Sequence, residues 1–354
     1  MDSMYNVVAT RELNAAGVPS PIIRQALGCC LLKLSYGVYT VVRMCADPRH
    51  TRLRQFATDA EWLRINEEHR ARENAFDFEY AALLYKLKAS SYPHYNADDV
   101  LFGLTAAVLH DLPLFRPALN HIFVAHPTSH SSGPLVKRRV QRIDESDVVT
   151  VGKMRVTTST RASLELIAQI GETAAYPAIE HVVRLLVFSS AEAADRAARR
   201  GYPSDIADRT RAVIERSMRP VALRLRKGQQ RALQLLDSAD SRSESYAESR
   251  CALNLRMLRI VGFEPQVDVF EGSRWIARVD FMHRETGTIL FIDGTTKYVH
   301  NGFALMRKEA AQHNALTSLD YRVLRFGFDD TIDLERFATI LFNQAPELRR
   351  HIGR

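Results

Sequence analysis

The sequence predicts a multidomain α/β protein. Three observations carry that expectation. The chain has 354 residues, enough for two or three cores. Helical and strand-like patterns alternate along its length without either dominating. Near the C-terminus, a run of helix, three strands, helix and strand sets acidic residues at the ends of neighbouring strands. The reading divides the chain at 1–45, 46–240 and 241–354.

The content of 46% hydrophobic and 25% charged residues is ordinary for a globular chain. A net charge of +7 favours a polyanionic partner, although a basic protein with no nucleic-acid partner is also common. No apolar run reaches the roughly 18 residues of a membrane span, so no membrane partner is expected. The opening Met1-Asp2-Ser3-Met4-Tyr5 lacks the basic-then-apolar order of a secretory signal, which points to the cytoplasm. The cysteines are Cys29, Cys30, Cys45 and Cys251. Their spacing matches no zinc pattern, and the adjacent pair is expected to diverge on a helix or strand, leaving reduced, buried thiols.

Residues 10–17 read as a short helix capped by Thr10 and stopped by Gly17. Ser20-Pro21 opens a second helix, with Ile22, Ile23, Ala26 and Leu27 inward and Arg24 and Gln25 outward. Residues 31–41 then form two strands around Gly37. Helix, turn, helix and hairpin is the plan of a winged helix-turn-helix. On double-stranded DNA, Arg24 and Gln25 would meet base edges, and Ser20, Lys33 and Arg43 would meet phosphates. The competing reading is a protein-contact domain with Arg24 as a solvated charge.

The middle reads as an α+β domain with a helical connector. Residues 47–72 are polar and charged around Trp62 and Leu63. Tyr80, Leu83, Leu84 and Leu87 fall at helical spacing, and residues 98–110 read as one amphipathic helix ended by Asp111-Leu112-Pro113. A strand at 121–125 leads to a loop holding His126, Ser129 and His130, for which no third metal ligand is spaced. Lys137, Arg138 and Arg139 suit either a phosphate patch or a charged strand edge. A hairpin at 147–157 turns at Gly152-Lys153, and a helix from Ser159 carries Arg161, best read as a structural ion pair or helix-start charge. Arginine-rich helices follow to Leu236, where Arg224, Lys227 and Arg231 are spaced to share one face. Residues 238–243 read as a linker.

In the C-terminal segment a helix at 248–258 precedes strands at 266–270, 276–281 and 288–294, a helix at 306–319 and a strand at 321–326. Hydrolysis of a phosphodiester with Mg²⁺ needs carboxylates gathered at one point and a cation near the developing charge. Asp280 and Asp293 lie on adjacent predicted strands, Glu248 can reach in from the helix, and Lys297 follows. Each has a quieter reading: Glu248 as a helix-start charge, Asp293-Gly294 as a turn pair, Lys297 as a solvated charge. Asp280, on an otherwise apolar strand, is the hardest to explain away.

Glu248, Arg278-Val279-Asp280, Asp293-Gly294 with Lys297-Tyr298, and Tyr321-Arg322-Val323-Leu324-Arg325 together resemble the PD-(D/E)XK nuclease fold, specifically Vsr-like endonuclease domains. The segment is therefore expected to be a restriction-endonuclease-like α/β domain. The resemblance implies Glu248, Asp280 and Asp293 as Mg²⁺ ligands, with Lys297 stabilising charge. One position departs from it: the family's glutamate two residues before Asp-Gly is Phe291. Val8-Ala9-Thr10-Arg11-Glu12-Leu13, Gly17-Val18, Gly37-Val38-Tyr39 and the Arg161 helix start resemble AbiEi-type antitoxins. Two functions follow as expectations. One is a DNA-binding antitoxin-type regulator with a degenerate nuclease-fold domain and a cognate toxin or a second copy as partner. The other is an active Mg²⁺-dependent endonuclease.

Overall fold

The computed structural model describes residues 4–72, 77–293 and 302–353. It is a mixed α/β protein with three sheets. The chain forms two compact units, residues 1–110 with 116–158 and residues 111–115 with 159–354. Among the described residues, no helix is long and apolar enough to cross a membrane.

The first unit opens with β1 (Val7–Ala9), α1 (Thr10–Ala15), α2 (Ser20–Ala26), β2 (Leu31–Ser35) and β3 (Val38–Val41). The antiparallel sheet has the order β1-β3-β2. Leu13, Val18, Ile23 and Ala26 pack with Val8, Leu31 and Val41 beneath the two helices. The glycine stop is seen at Gly17, whose φ of +71° turns the chain. The expected Thr10 cap is not: the Glu12 carboxylate accepts the Ala9 N–H at 2.7 Å, while Thr10 N–H and Oγ1 both donate to the Gly37 carbonyl. Thr10 thereby ties α1 to the hairpin turn instead of capping its own helix.

A 3₁₀ segment (Pro48–Phe56), α3 (Ala60–Ala71) and α4 (Phe78–Ser90) follow. The charged connector is anchored, as Trp62 is wholly buried against Leu34, Val38 and Leu87. Next come β4 (Val100–Leu101), α5 (Leu104–Leu109), β5 (Ile122–His126), β6 (Ser131–Ser132), β7 (Val136–Val140), β8 (Val148–Val151) and β9 (Met154–Thr157). They build a sheet of order β6-β7-β5-β4-β9-β8.

Two expectations fail in this sheet. The single helix over 98–110 is a strand followed by a short helix, broken at Gly103 with φ +56°. Residues 99–108 are all buried, so no polar face betrays the change of period. Nor is β7 an edge: it lies between β6 and β5, and Arg138 turns inward to pair with the buried Asp99 at 2.6 Å. In the loop that follows β5, the Thr128 and Ser129 N–H groups donate to His126 Nδ1.

The second unit begins with α6 (Ser159–Ile170), α7 (Glu172–Phe188), α8 (Ala191–Arg200), α9 (Ile206–Val213), α10 (Arg219–Leu223) and α11 (Gln229–Leu236). Arg161 is buried and paired with Glu165 at 2.9 Å. The expected common face of Arg224, Lys227 and Arg231 does not form. The helix ends at Leu223, and α11 starts after Gly228 at φ +76°, where Arg231 pairs with Glu172. The expected linker is also corrected: Ser241 and Ser243 are buried, and Glu180 of α7 accepts the Asp240 N–H and the Ser243 hydroxyl. Burial pushes the Glu180 carboxyl up to about 7.

The unit closes with α12 (Tyr246–Met257), β10 (Phe263–Glu271), β11 (Arg274–His283), β12 (Thr288–Asp293), α13 (Gly302–Ser318), β13 (Arg322–Gly327), α14 (Phe328–Ile332) and α15 (Leu334–Gln344). Strand order is β10-β11-β12-β13, antiparallel except for β12 with β13. The crossover through α13 is what a parallel pair requires. Leu290, Ile292, Leu324 and Phe326 pack against Ala247 and Cys251 of α12 and Phe337 and Leu341 of α15. Ile289, Phe291 and Val323 pack with Leu316 of α13 in a second cluster.

Candidate functional site

Glu248 sits in the first turn of α12 because Ser245 caps that helix. The Ser245 hydroxyl accepts the Glu248 N–H at 3.2 Å and donates back to the carboxylate at 2.8 Å. The Glu244 N–H donates to the same carboxylate at 3.0 Å, and the Gln266 amide at 2.9 Å. The residue is only 7% exposed. Burial, followed by the negative charge of Asp280, pushes its carboxyl up to about 8.

Asp280 is reached from the sheet. The β11–β12 ladder ends at the pair Phe281↔Leu290, and the Asp280 carboxylate then accepts the Ile292 N–H at 2.7 Å. A side chain thus takes over where main-chain pairing has stopped. Gln266 joins the two acids, since its amide also reaches Asp280 at 3.4 Å. It does so from a φ of +55° inside β10, between the pairs Pro265↔Phe281 and Val267↔Val279. Gln266 was not legible in the sequence, because nothing in a strand-like run marks a residue in the left-handed region.

The remaining site residues lie differently. Asp293 pairs with Arg325 at 3.4 Å. The Arg325 guanidinium also stands 4.9 Å over the ring of Phe291, its register partner across the parallel ladder. Phe291 holds the position at which the resemblance implies a glutamate, and it packs in the cluster with Leu316 of α13, whereas Asp280 is linked through Gln266 to Glu248 of α12. Glu248, Asp280 and Asp293, all described, do not bring three ligand atoms within 4.8 Å of one another. Lys297 lies outside the described residues. Arg278, two residues before Asp280, is held by Asp268 at 2.9 Å and lies over the Tyr202 ring.

No protein-family model matches the chain, and no curated protein or solved structure is significantly similar to it. The functional reading therefore rests on the residues themselves.

In the first unit, the candidate DNA residues all lie on exposed positions. Ser20, Arg24 and Gln25 project from α2 while Ile23 and Ala26 of the same helix are buried. Lys33 is exposed on β2, and Tyr36 at the hairpin turn is 83% exposed. Arg43 lies just past β3, but its guanidinium donates to Cys29 Sγ at 2.8 Å, so its charge is directed at a sulfur.

Proposed function

We propose that this chain is a DNA-binding regulator of the antitoxin type, whose C-terminal domain is a nuclease fold that has lost its catalysis. The observation that carries the first half is α2: a helix after a tight turn, anchored by Ile23 and Ala26, offering Ser20, Arg24 and Gln25 outward beside a hairpin that offers Lys33. Exposed donors on a helix of that kind suit base edges in a major groove, and the hairpin cation suits a phosphate. The net charge of +7 adds long-range attraction to a polyanion.

Duplex DNA should therefore bind with an affinity that falls steeply as salt rises. Replacing Lys33 by alanine should flatten the slope of log K against log salt by about 0.9, the share of one phosphate-neutralising cation, while Arg24→Ala should cost about 1–3 kcal/mol on the preferred sequence. Fluorescence anisotropy with a labelled duplex reads both quantities. No binding at low salt would end this reading.

The second half rests on Phe291 and Arg325. A divalent cation needs an acidic shell, and here a phenyl ring with a guanidinium over it stands where the resemblance implies a glutamate. Glu248 is committed to three hydrogen-bond donors and is driven toward its neutral form. This donor set does not fit Mg²⁺. Supercoiled plasmid incubated with the protein and Mg²⁺ or Mn²⁺ should stay intact. Nicking that vanishes in Asp280→Ala would instead establish the endonuclease reading, and nicking that persists in that variant would point to a contaminant.

A further inference from the structure

Sequence spacing set the cysteines aside, but the fold gathers three of them. Cys29 and Cys30 lie in the turn between α2 and β2, where consecutive side chains need not diverge as they do on a helix or strand. Cys45 follows the exit of β3, and His50 sits in the 3₁₀ segment. The three sulfurs and the His50 ring offer ligand atoms that all lie within 4.8 Å of one another. Cys29 Sγ is 3.2 Å from Cys45 Sγ, and His50 Nδ1 is 3.4 Å from Cys45 Sγ and 3.7 Å from Cys30 Sγ.

We propose that Cys29, Cys30, Cys45 and His50 bind one zinc ion, a structural site that fastens the end of α2 to the strands and the segment behind them. Zinc–sulfur bonds of about 2.3 Å and zinc–nitrogen bonds of about 2.0–2.1 Å give a tetrahedron with edges of about 3.8 Å between sulfurs and about 3.6 Å between sulfur and nitrogen. The separations of 3.2–3.7 Å match those edges to within the small adjustments a side-chain rotation supplies. Three thiolates and an imidazole are the soft donor set that selects zinc over Mg²⁺ or Ca²⁺. His50 is 2% exposed, and its Nε2 has no hydrogen-bond partner, so the ring meets polar company through Nδ1, the nitrogen facing the sulfurs. Cys30 and Cys45 are buried, as a closed structural site requires.

Charge is accounted for as well. On binding Zn²⁺ the three thiols release three protons to solvent and the imidazole stays neutral, leaving the centre with one net negative charge. Arg43, donating to Cys29 Sγ at 2.8 Å, places a positive charge against it. This site is independent of the DNA-binding reading, because the geometry concerns only the four ligands and Arg43.

The test is elemental analysis of the full chain purified without added chelator. About one zinc per chain is expected, released when a mercurial blocks the thiols. Cys45→Ser and His50→Ala should each lower the zinc content at least tenfold, while Cys251→Ala, in the C-terminal core, should leave it unchanged. Should the ligand variants fail to fold, growth of the wild-type chain with Co²⁺ gives a second reading. Sulfur-to-cobalt charge-transfer bands in the near ultraviolet and tetrahedral d–d bands in the visible are expected. Zinc-free protein with a Cys29–Cys45 disulfide in a non-reducing peptide map would overturn the proposal. So would zinc-free protein in which all four thiols react and no cobalt is taken up.

Discussion

Trp62→Ala is expected to cost about 3–5 kcal/mol of folding stability, enough to shift the folded-to-unfolded ratio by about two to nearly four powers of ten. Trp62 is completely buried, so truncation opens a large cavity that its neighbours cannot collapse to fill. The ring meets Tyr5 edge-on at 5.5 Å and stacks with Tyr80 at 6.2 Å. Its Nε1 donates to Thr40 Oγ1 at 2.7 Å, and Thr40 in turn donates to the Tyr5 carbonyl at 2.5 Å. Alanine thus removes area, two ring contacts and one end of a buried hydrogen-bond chain. Phenylalanine at this position keeps most of the area and loses the donor, so its cost should be well under half as large. Urea unfolding followed by far-ultraviolet circular dichroism measures both. A loss below about 1 kcal/mol for Trp62→Ala would show that the α3 connector is not anchored as described. Because Trp62 also packs on Leu34 and Val38 of the hairpin, the alanine variant should weaken duplex binding too.

The parts of the fold that the sequence made legible are apolar-rich runs of ordinary strand or helix length set between turn residues. The strands 266–270 and 276–281 each lie within an observed strand, 321–326 starts one residue ahead of β13, and the helix read over 248–258 starts two residues late and ends one residue past α12. Where a short run is buried all round the period carries no information, and residues 98–110 read as a helix although Val100 and Leu101 pair with β5 and β9. Backbone geometry was equally hidden. Gln266 at φ +55° looks like any strand residue, and Gly228 at φ +76° dissolves a basic stripe that spacing alone assembled. The paired cysteines illustrate the same limit. Spacing rules assume a helix, strand or knuckle, whereas a turn aims Cys29 and Cys30 at partners sixteen and twenty residues away. Of the acidic set, the link between Glu248 and Asp280 depends on Gln266, a residue without charge, so no search for charged clusters could have found it.

Glu248→Gln should leave the protein more stable than the wild type at pH 8 and reverse that advantage, or cancel it, near pH 5. An exposed glutamate titrates near 4.5, whereas burial and the charge of Asp280 push the folded carboxyl to about 8. Below the unfolded value the group is protonated in both states and contributes its full hydrogen-bonded share. As pH rises the unfolded chain ionises first, and stability drains away through the folded value, by on the order of 4 kcal/mol across the window. Glu180, pushed up to about 7 by burial, drains stability in the same direction and is common to both proteins, so the difference between them isolates Glu248. Glutamine has no charge to lose and keeps one acceptor oxygen, for either the Ser245 hydroxyl at Oε1 or the Glu244 N–H and Gln266 amide at Oε2, at the cost of the other contact. Urea midpoints taken at a series of pH values give the two profiles, and parallel curves would refute the buried neutral acid. Repeating the series with millimolar Mg²⁺ separates the two functional readings at the same residue. A carboxylate that ligates an ion is held ionised, so the wild-type decline between pH 5 and 8 would disappear when the ion is added. An acid that serves the helix cap and Gln266 leaves that decline in place, which is the outcome that Phe291, standing where a glutamate would complete an acidic shell, favours.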